Sequence, residues 1–151
     1  CMAGMIRAFE SVYNVKMVEV KDKYPAIDPD VRSFEVRDHK GTVKAVIQYD
    51  LFARPGKRGG AWMQDLRNAG LYRGQPMNPL VTLHLNLMKE DVPKLTPKDV
   101  DTLYHETGHG FHGAMGTGEV PSISGINVGW DYVEFPSQFM EPFAFKEAHV
   151  R

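Results

Sequence analysis

The sequence has almost no cysteine: one residue, Cys1, in 151. That excludes an internal disulfide and a cysteine-rich zinc knuckle, so any metal held here must use His, Asp or Glu. It permits a reducing compartment, and the cytoplasm is the expected location. An excess of one charge is also missing. The chain has 18 Lys and Arg against 19 Asp and Glu, for a formal net charge of -1. This balance offers no electrostatic reason to expect nucleic acid or an anionic membrane as partner. No apolar run approaches the roughly 18 residues that span a bilayer. Residues 1–9 read as too short and too polar for a signal peptide. There is no internal repeat and no low-complexity segment. What remains is a composition ordinary for a soluble protein, 42% hydrophobic and 25% charged, at a length sufficient for one domain with its own core.

The periodicities predict strands first and helices last, an α+β order. Residues 5–14 have helical spacing. Residues 15–20 alternate as a strand, and 32–38 with 43–50 read as a hairpin around His39-Lys40-Gly41. Residues 55–60 are expected to form a mobile cationic loop, and 61–66 an extended piece. Residues 68–79, rich in Gly, Pro and Asn, read as another loop. Residues 81–88 alternate with Val81, Leu83, Leu85 and Leu87 on one face. The strand and loop region thus covers about 15–90, followed by helices at about 97–115 and 131–150. Thr96-Pro97-Lys98-Asp99 supplies a capping hydroxyl, a proline for the first helical position and an acid for the first turn. Four glycines and a proline make 116–130 a loop, and Pro142 is expected to interrupt the last helix.

The chemistry lies on the first of these helices, in His105-Glu106-Thr107-Gly108-His109. Two histidines four residues apart share one helix face, close enough to hold one ion. Glu106, beside the first ligand, is angled toward a water that the ion would activate, and zinc lowers the pKa of such a water to roughly 7. A carboxylate there can take the water's proton and pass it to a leaving amine. This is the physical content of the H-E-x-x-H pattern. The third ligand stays open on these grounds. His112 lies on the same face, but seven helical residues rise about 10 Å. It reads rather as a buried, hydrogen-bonded histidine beside the site. A histidine six residues after the second ligand, as metzincins require, is absent because that position is Met115. Glu119, Glu134, Glu141 and Glu147 all qualify, with Glu134 slightly ahead of Glu141. His149 lies at the chain end, where fraying is expected.

These residues resemble the thimet oligopeptidase family of zinc metallopeptidases, which includes oligopeptidase A and peptidyl-dipeptidase. The family helix reads H-E-F-G-H-x-x-H, matched by His105 through His112. Its downstream G-T-N-x-x-x-D-F-V-E-x-P-S-Q is matched by Gly125-Ile126-Asn127 and Asp131 through Gln138. Its upstream D-x-x-x-R-x-x-K-x-x-G-A-W-M is matched by Asp50, Arg54, Lys57 and Gly60 through Met63. The resemblance implies His105, His109 and Glu134 as ligands to one zinc ion, Glu106 as general base, and short peptides as substrates. It also implies that Gly60 and Ala61 lie near the cleft, where an edge strand could bind substrate backbone. His112 joins them as a candidate substrate contact. Thr107, Ile126 and Gly129-Trp130 depart from the family pattern.

Family members are several times longer, mostly helical, and carry transition-state-stabilising tyrosine and histidine residues beyond the matched segment. The expectation is therefore that residues 1–151 form a single partial catalytic domain. In it a small sheet would precede an active-site helix and a second ligand-bearing helix, within a larger zincin-type peptidase. The rival is a zinc-binding fragment or split-enzyme subunit, inactive without a C-terminal half. The missing remainder would then be a partner, docking on Phe139, Met140, Phe143 and Phe145.

Overall fold

A computed structural model describes residues 1–90, 95–116 and 125–146. Helix α1 (Met2–Tyr13) turns Met5, Ala8 and Phe9 inward and ends where Asn14 enters the left-handed region at φ 52°, as a helix C-terminus often does. Seven strands follow: β1 (Lys16–Val20), β2 (Arg32–Arg37), β3 (Val43–Phe52), β4 (Trp62–Arg67), β5 (Gly70–Tyr72), β6 (Gln75–Met77) and β7 (Leu80–Leu87). Five of them form one sheet in the order β1-β2-β3-β7-β4. Its pairs are antiparallel except for β3 with β7. The expected β2–β3 hairpin is present. Asp38 Oδ1 accepts from the amides of Lys40 and Thr42, both at 2.9 Å, while Gly41 takes φ +82°.

The two faces of the sheet differ. One carries Phe34, Val36, Ile47, Tyr49, Val81, Leu83 and Leu85 into the core, against α1 and helix α2 (Pro97–Ala114). The alternation expected for residues 81–88 points the right way. The other face is buried but polar: Ser33, Glu35, Gln48, Asp50, Thr82 and His84. Each of these needs a partner once water is removed, and the loops supply several. Gln48 Nε2 donates to Pro25 O at 2.9 Å and Tyr24 Oη to Glu35 at 2.8 Å. Lys57 Nζ donates to the carbonyls of Asp50 and Phe52 at 2.8 and 2.9 Å.

Three expectations are corrected. The glycine-rich segment 55–60 is tied to the sheet rather than free of it: the Lys57 side chain is only 2% exposed, and Asn86 Nδ2 donates to Arg58 O and Gly60 O at 2.8 and 2.7 Å. The loop at 68–79 contains the β5–β6 hairpin, whose Arg73-Gly74 turn takes positive φ at both residues, as a type I′ turn does. The last helix, expected from 131 with an interruption at Pro142, is interrupted there but is also broken earlier, at Glu134. Helix α3 (Trp130–Val133) stops at Glu134, helix α4 (Phe135–Met140) restarts with Pro136 in its first turn, and a 3-10 turn (Glu141–Phe145) carries Pro142. Proline has no N–H to continue a helix through its own position, so each break sits beside one. Residues 147–150 lie outside the described set.

Helix α2 begins as its sequence suggests. Thr96 Oγ1 accepts from Asp99 N and the Asp99 carboxylate accepts from Thr96 N, a complete capping box with Pro97 inside it. Two glycines let α2 lie close to the sheet. A Cβ at Gly110 would meet Leu83 at 3.1 Å, and one at Gly113 would meet Met63 Cε at 2.7 Å. Of the four side chains considered for docking, Met140 is fully buried, Phe143 packs partly on the core, and Phe139 and Phe145 are exposed.

Candidate metal centre

Helix α2 sets the two histidine rings side by side, with centroids 4.8 Å apart and planes at 82°. The break between α3 and α4 places Glu134 opposite them. One carboxylate oxygen, Oε2, lies 3.3 Å from His105 Nε2 and 3.2 Å from His109 Nε2. A nitrogen from each ring and an oxygen of Glu134 all fall within 4.8 Å of one another. Glu141 does not enter this group. Its Oε1 lies 2.7 Å from His105 Nδ1, on the far side of the ring. Glu119, Glu147 and His149 lie outside the described residues.

His105 thus has a carboxylate oxygen at each ring nitrogen. A neutral imidazole has one N–H and can donate to only one of them. The other contact calls for positive charge, either on the ring or on a cation between ring and carboxylate. With Nδ1–H given to Glu141, the free lone pair is at Nε2, the nitrogen facing His109 and Glu134. Carboxylate-oriented histidines of this kind are the usual metal ligands. The donor set, two imidazole nitrogens and one carboxylate oxygen, suits a borderline ion such as zinc.

Glu106 sits in the same turn of α2. It is 7% exposed, and its Oε2 has no hydrogen-bond partner among the described residues. Burial pushes its carboxyl above the ordinary range, a push that the His105 ring opposes and the Glu134 charge reinforces. Burial likewise lowers His109 and His112, favouring neutral rings. His112 is half-buried against Tyr132, with ring centroids 6.0 Å apart. Its Nδ1 finds no partner among the described residues. Thr107, a departure from the family helix, fills a fully buried slot and donates to Leu103 O at 2.7 Å. Trp130, another departure, stands out in solvent.

Gly60 and Ala61 lead into β4, an edge strand that among the described residues pairs with β7 alone. Gly60 takes φ +89°. Behind this corner lies a buried charge cluster on the polar face of the sheet. Asp50 accepts from Arg54 at 2.6 and 3.1 Å, from Lys57 at 3.0 Å, and faces His84 Nδ1 at 2.9 Å. Burial alone would raise the Asp50 carboxyl, but these hydrogen bonds outweigh it and hold it at about 2. The Trp62 ring stacks on His84 at 4.6 Å. Sequence reading singled out Asp50, Arg54 and Lys57 only as matched positions, and His84 and Asn86 not at all. Their partners are 26 to 34 residues away in sequence, beyond the reach of local pattern.

The model of peptidase family M3 matches residues 1–151. Oligopeptidase A of Escherichia coli (strain K12) is 38% identical over 149 residues, covering 95% of this chain and 22% of the relative. Dipeptidyl carboxypeptidase of the same organism is 36% identical over 142 residues, covering 93% and 21%. A protein described as probable cytosolic oligopeptidase A of Arabidopsis thaliana is 28% identical over 153 residues, covering 95% and 22%. The chain therefore spans about a fifth of the length of the curated relatives it matches.

Proposed function

The chain belongs to peptidase family M3, and from that premise we propose that it carries the metal-binding core of a peptidase acting on short peptides. The observation that carries the proposal is the meeting of Glu134 Oε2 with both histidine Nε2 atoms at 3.3 and 3.2 Å, beside the buried Glu106 carboxylate, whose Oε2 has no partner among the described residues. His105, His109 and Glu134 would hold one zinc ion. When bound, zinc supplies Lewis acidity toward a carbonyl oxygen and toward water.

The chain's own residues do the rest. Glu106 takes a proton from the attacking water as its oxygen bonds to the scissile carbonyl carbon. It then delivers that proton to the amide nitrogen as the C–N bond breaks. The burial of Glu106 suits it to both halves of the transfer, because a carboxyl with a raised pKa is a better base and a usable acid. Glu141 holds His105 in the tautomer that presents Nε2. Strand β4, entered through Gly60 and Ala61, is an edge of the sheet along which an extended peptide could pair. His112 lies one turn beyond His109 and is a third candidate contact.

The place of action proposed is the cytoplasm. Among the described residues no helix is long and apolar enough to cross a membrane. The test is a metal analysis of the purified protein with a chelator-sensitive peptide-cleavage assay. One zinc per chain, bound far more weakly in Glu134→Ala, supports the reading. Stoichiometric zinc in that variant removes Glu134 from the site.

A further inference from the structure

We propose that Ser137 is a positioning residue for the metal centre, selecting the Glu134 rotamer that faces the histidines; this rests on the metal-site reading above. Glu134 is half exposed, with 49% of its side chain accessible. It sits at the break between α3 and α4, so its own helix gives it little support. A long carboxylate in that setting samples several rotamers. Ser137 is its opposite: fully buried and one turn further on. Its hydroxyl donates toward Glu134 Oε2 at 2.9 Å, the same oxygen that lies opposite both Nε2 atoms.

A blander reading exists. Helical serines often donate back to their own backbone, and Ser137 Oγ also lies 2.9 Å from Glu134 O. That carbonyl, however, already accepts from Gln138 N at 3.0 Å. The single hydroxyl proton is more useful on the carboxylate, which has no other donor from α4 among the described residues. The serine is itself fixed in place. A Cβ at Gly108 would fall 2.6 Å from Ser137 Cα and 2.8 Å from Pro136 O, both backbone atoms. Only glycine at 108 lets the start of α4 approach α2 this closely. Gly108 lies between Glu106 and His109, so the helix that carries both histidines also receives the serine that aims the third ligand.

The experiment measures zinc affinity by chelator competition for the wild-type protein, Ser137→Ala, Glu134→Ala and the double variant. Metal-free unfolding midpoints serve as the folding control. Removing the hydroxyl is expected to weaken zinc about 10- to 100-fold, the range for outer-shell partners. The metal-free midpoint should stay near wild type, because Gln138 still serves the Glu134 carbonyl. In the Glu134→Ala background the same substitution should have little further effect, since the serine acts through that carboxylate. Zinc affinity of Ser137→Ala within about threefold of wild type overturns the inference, as does equal weakening with or without Glu134. A wild-type protein that holds no zinc overturns the metal-site reading itself, and the inference with it.

Discussion

Glu141 stands behind His105, its Oε1 2.7 Å from Nδ1, while Glu134 stands in front at Nε2. Two glutamates seven residues apart therefore bracket one imidazole and take different roles. Replacing Glu141 by Gln keeps a side chain of the same size but offers an amide where the ring needs a firm acceptor. Zinc affinity is expected to fall about 10- to 100-fold with the fold retained. Titration against a chelator checks this, and an unchanged affinity would remove Glu141 from the account.

Gly108→Ala tests the close approach of α4 to α2. The new Cβ would meet backbone at 2.6 and 2.8 Å, and backbone cannot step aside as a flexible side chain would. Overpacking of this kind costs about 1–3 kcal/mol. The urea midpoint should drop accordingly. Zinc binding should weaken as well, because Glu134 is carried away with α4.

The Asp50 cluster gives stability a pH dependence. In the folded chain the Asp50 carboxyl is held at about 2 against an ordinary 3.8. Its ionised form is thus favoured by folding. The resulting stability is fully present above about 3.8 and is lost as pH falls toward about 2. Asp50→Asn leaves Lys57, 2% exposed, without its carboxylate, and is expected to cost about 3–5 kcal/mol. Unfolding free energies measured from pH 2 to 6 should show a shallower acid slope in this variant than in wild type. Parallel slopes would mean that Asp50 is not the titrating group.

Much of the local structure is legible in the sequence because its signals are local. The Thr96–Asp99 capping box marks the start of α2, and the four-residue spacing of His105 and His109 puts their rings together. Helix α4 is harder to read. Pro142 announces the interruption after Met140, but the earlier break beside Pro136, which leaves Glu134 between α3 and α4, has no such local announcement. Spacing puts Glu134 only slightly ahead of Glu141, since two turns of helix return to a similar face; the choice of Glu134 rests more on family resemblance than on spacing. The Arg73-Gly74 turn lacks the Asn-Gly signature that announces a two-residue hairpin, so β5 and β6 read as loop. Residues 55–60 read as mobile because glycines dominate locally, whereas the groups that tie them to the sheet, Asn86 and the buried acid of β3, act from other strands. The polar face of the sheet is the least legible feature. Alternation shows which residues face the core, but not that the opposite face is buried under loops.

The central claim is that Glu106 is the general base at a zinc site built from His105, His109 and Glu134. The most direct measurement is peptide turnover by the Glu106→Gln protein at full zinc occupancy. The account predicts one zinc per chain, as in wild type, with hydrolysis reduced about 10²- to 10⁴-fold. Turnover equal to wild type in that zinc-loaded variant would contradict it.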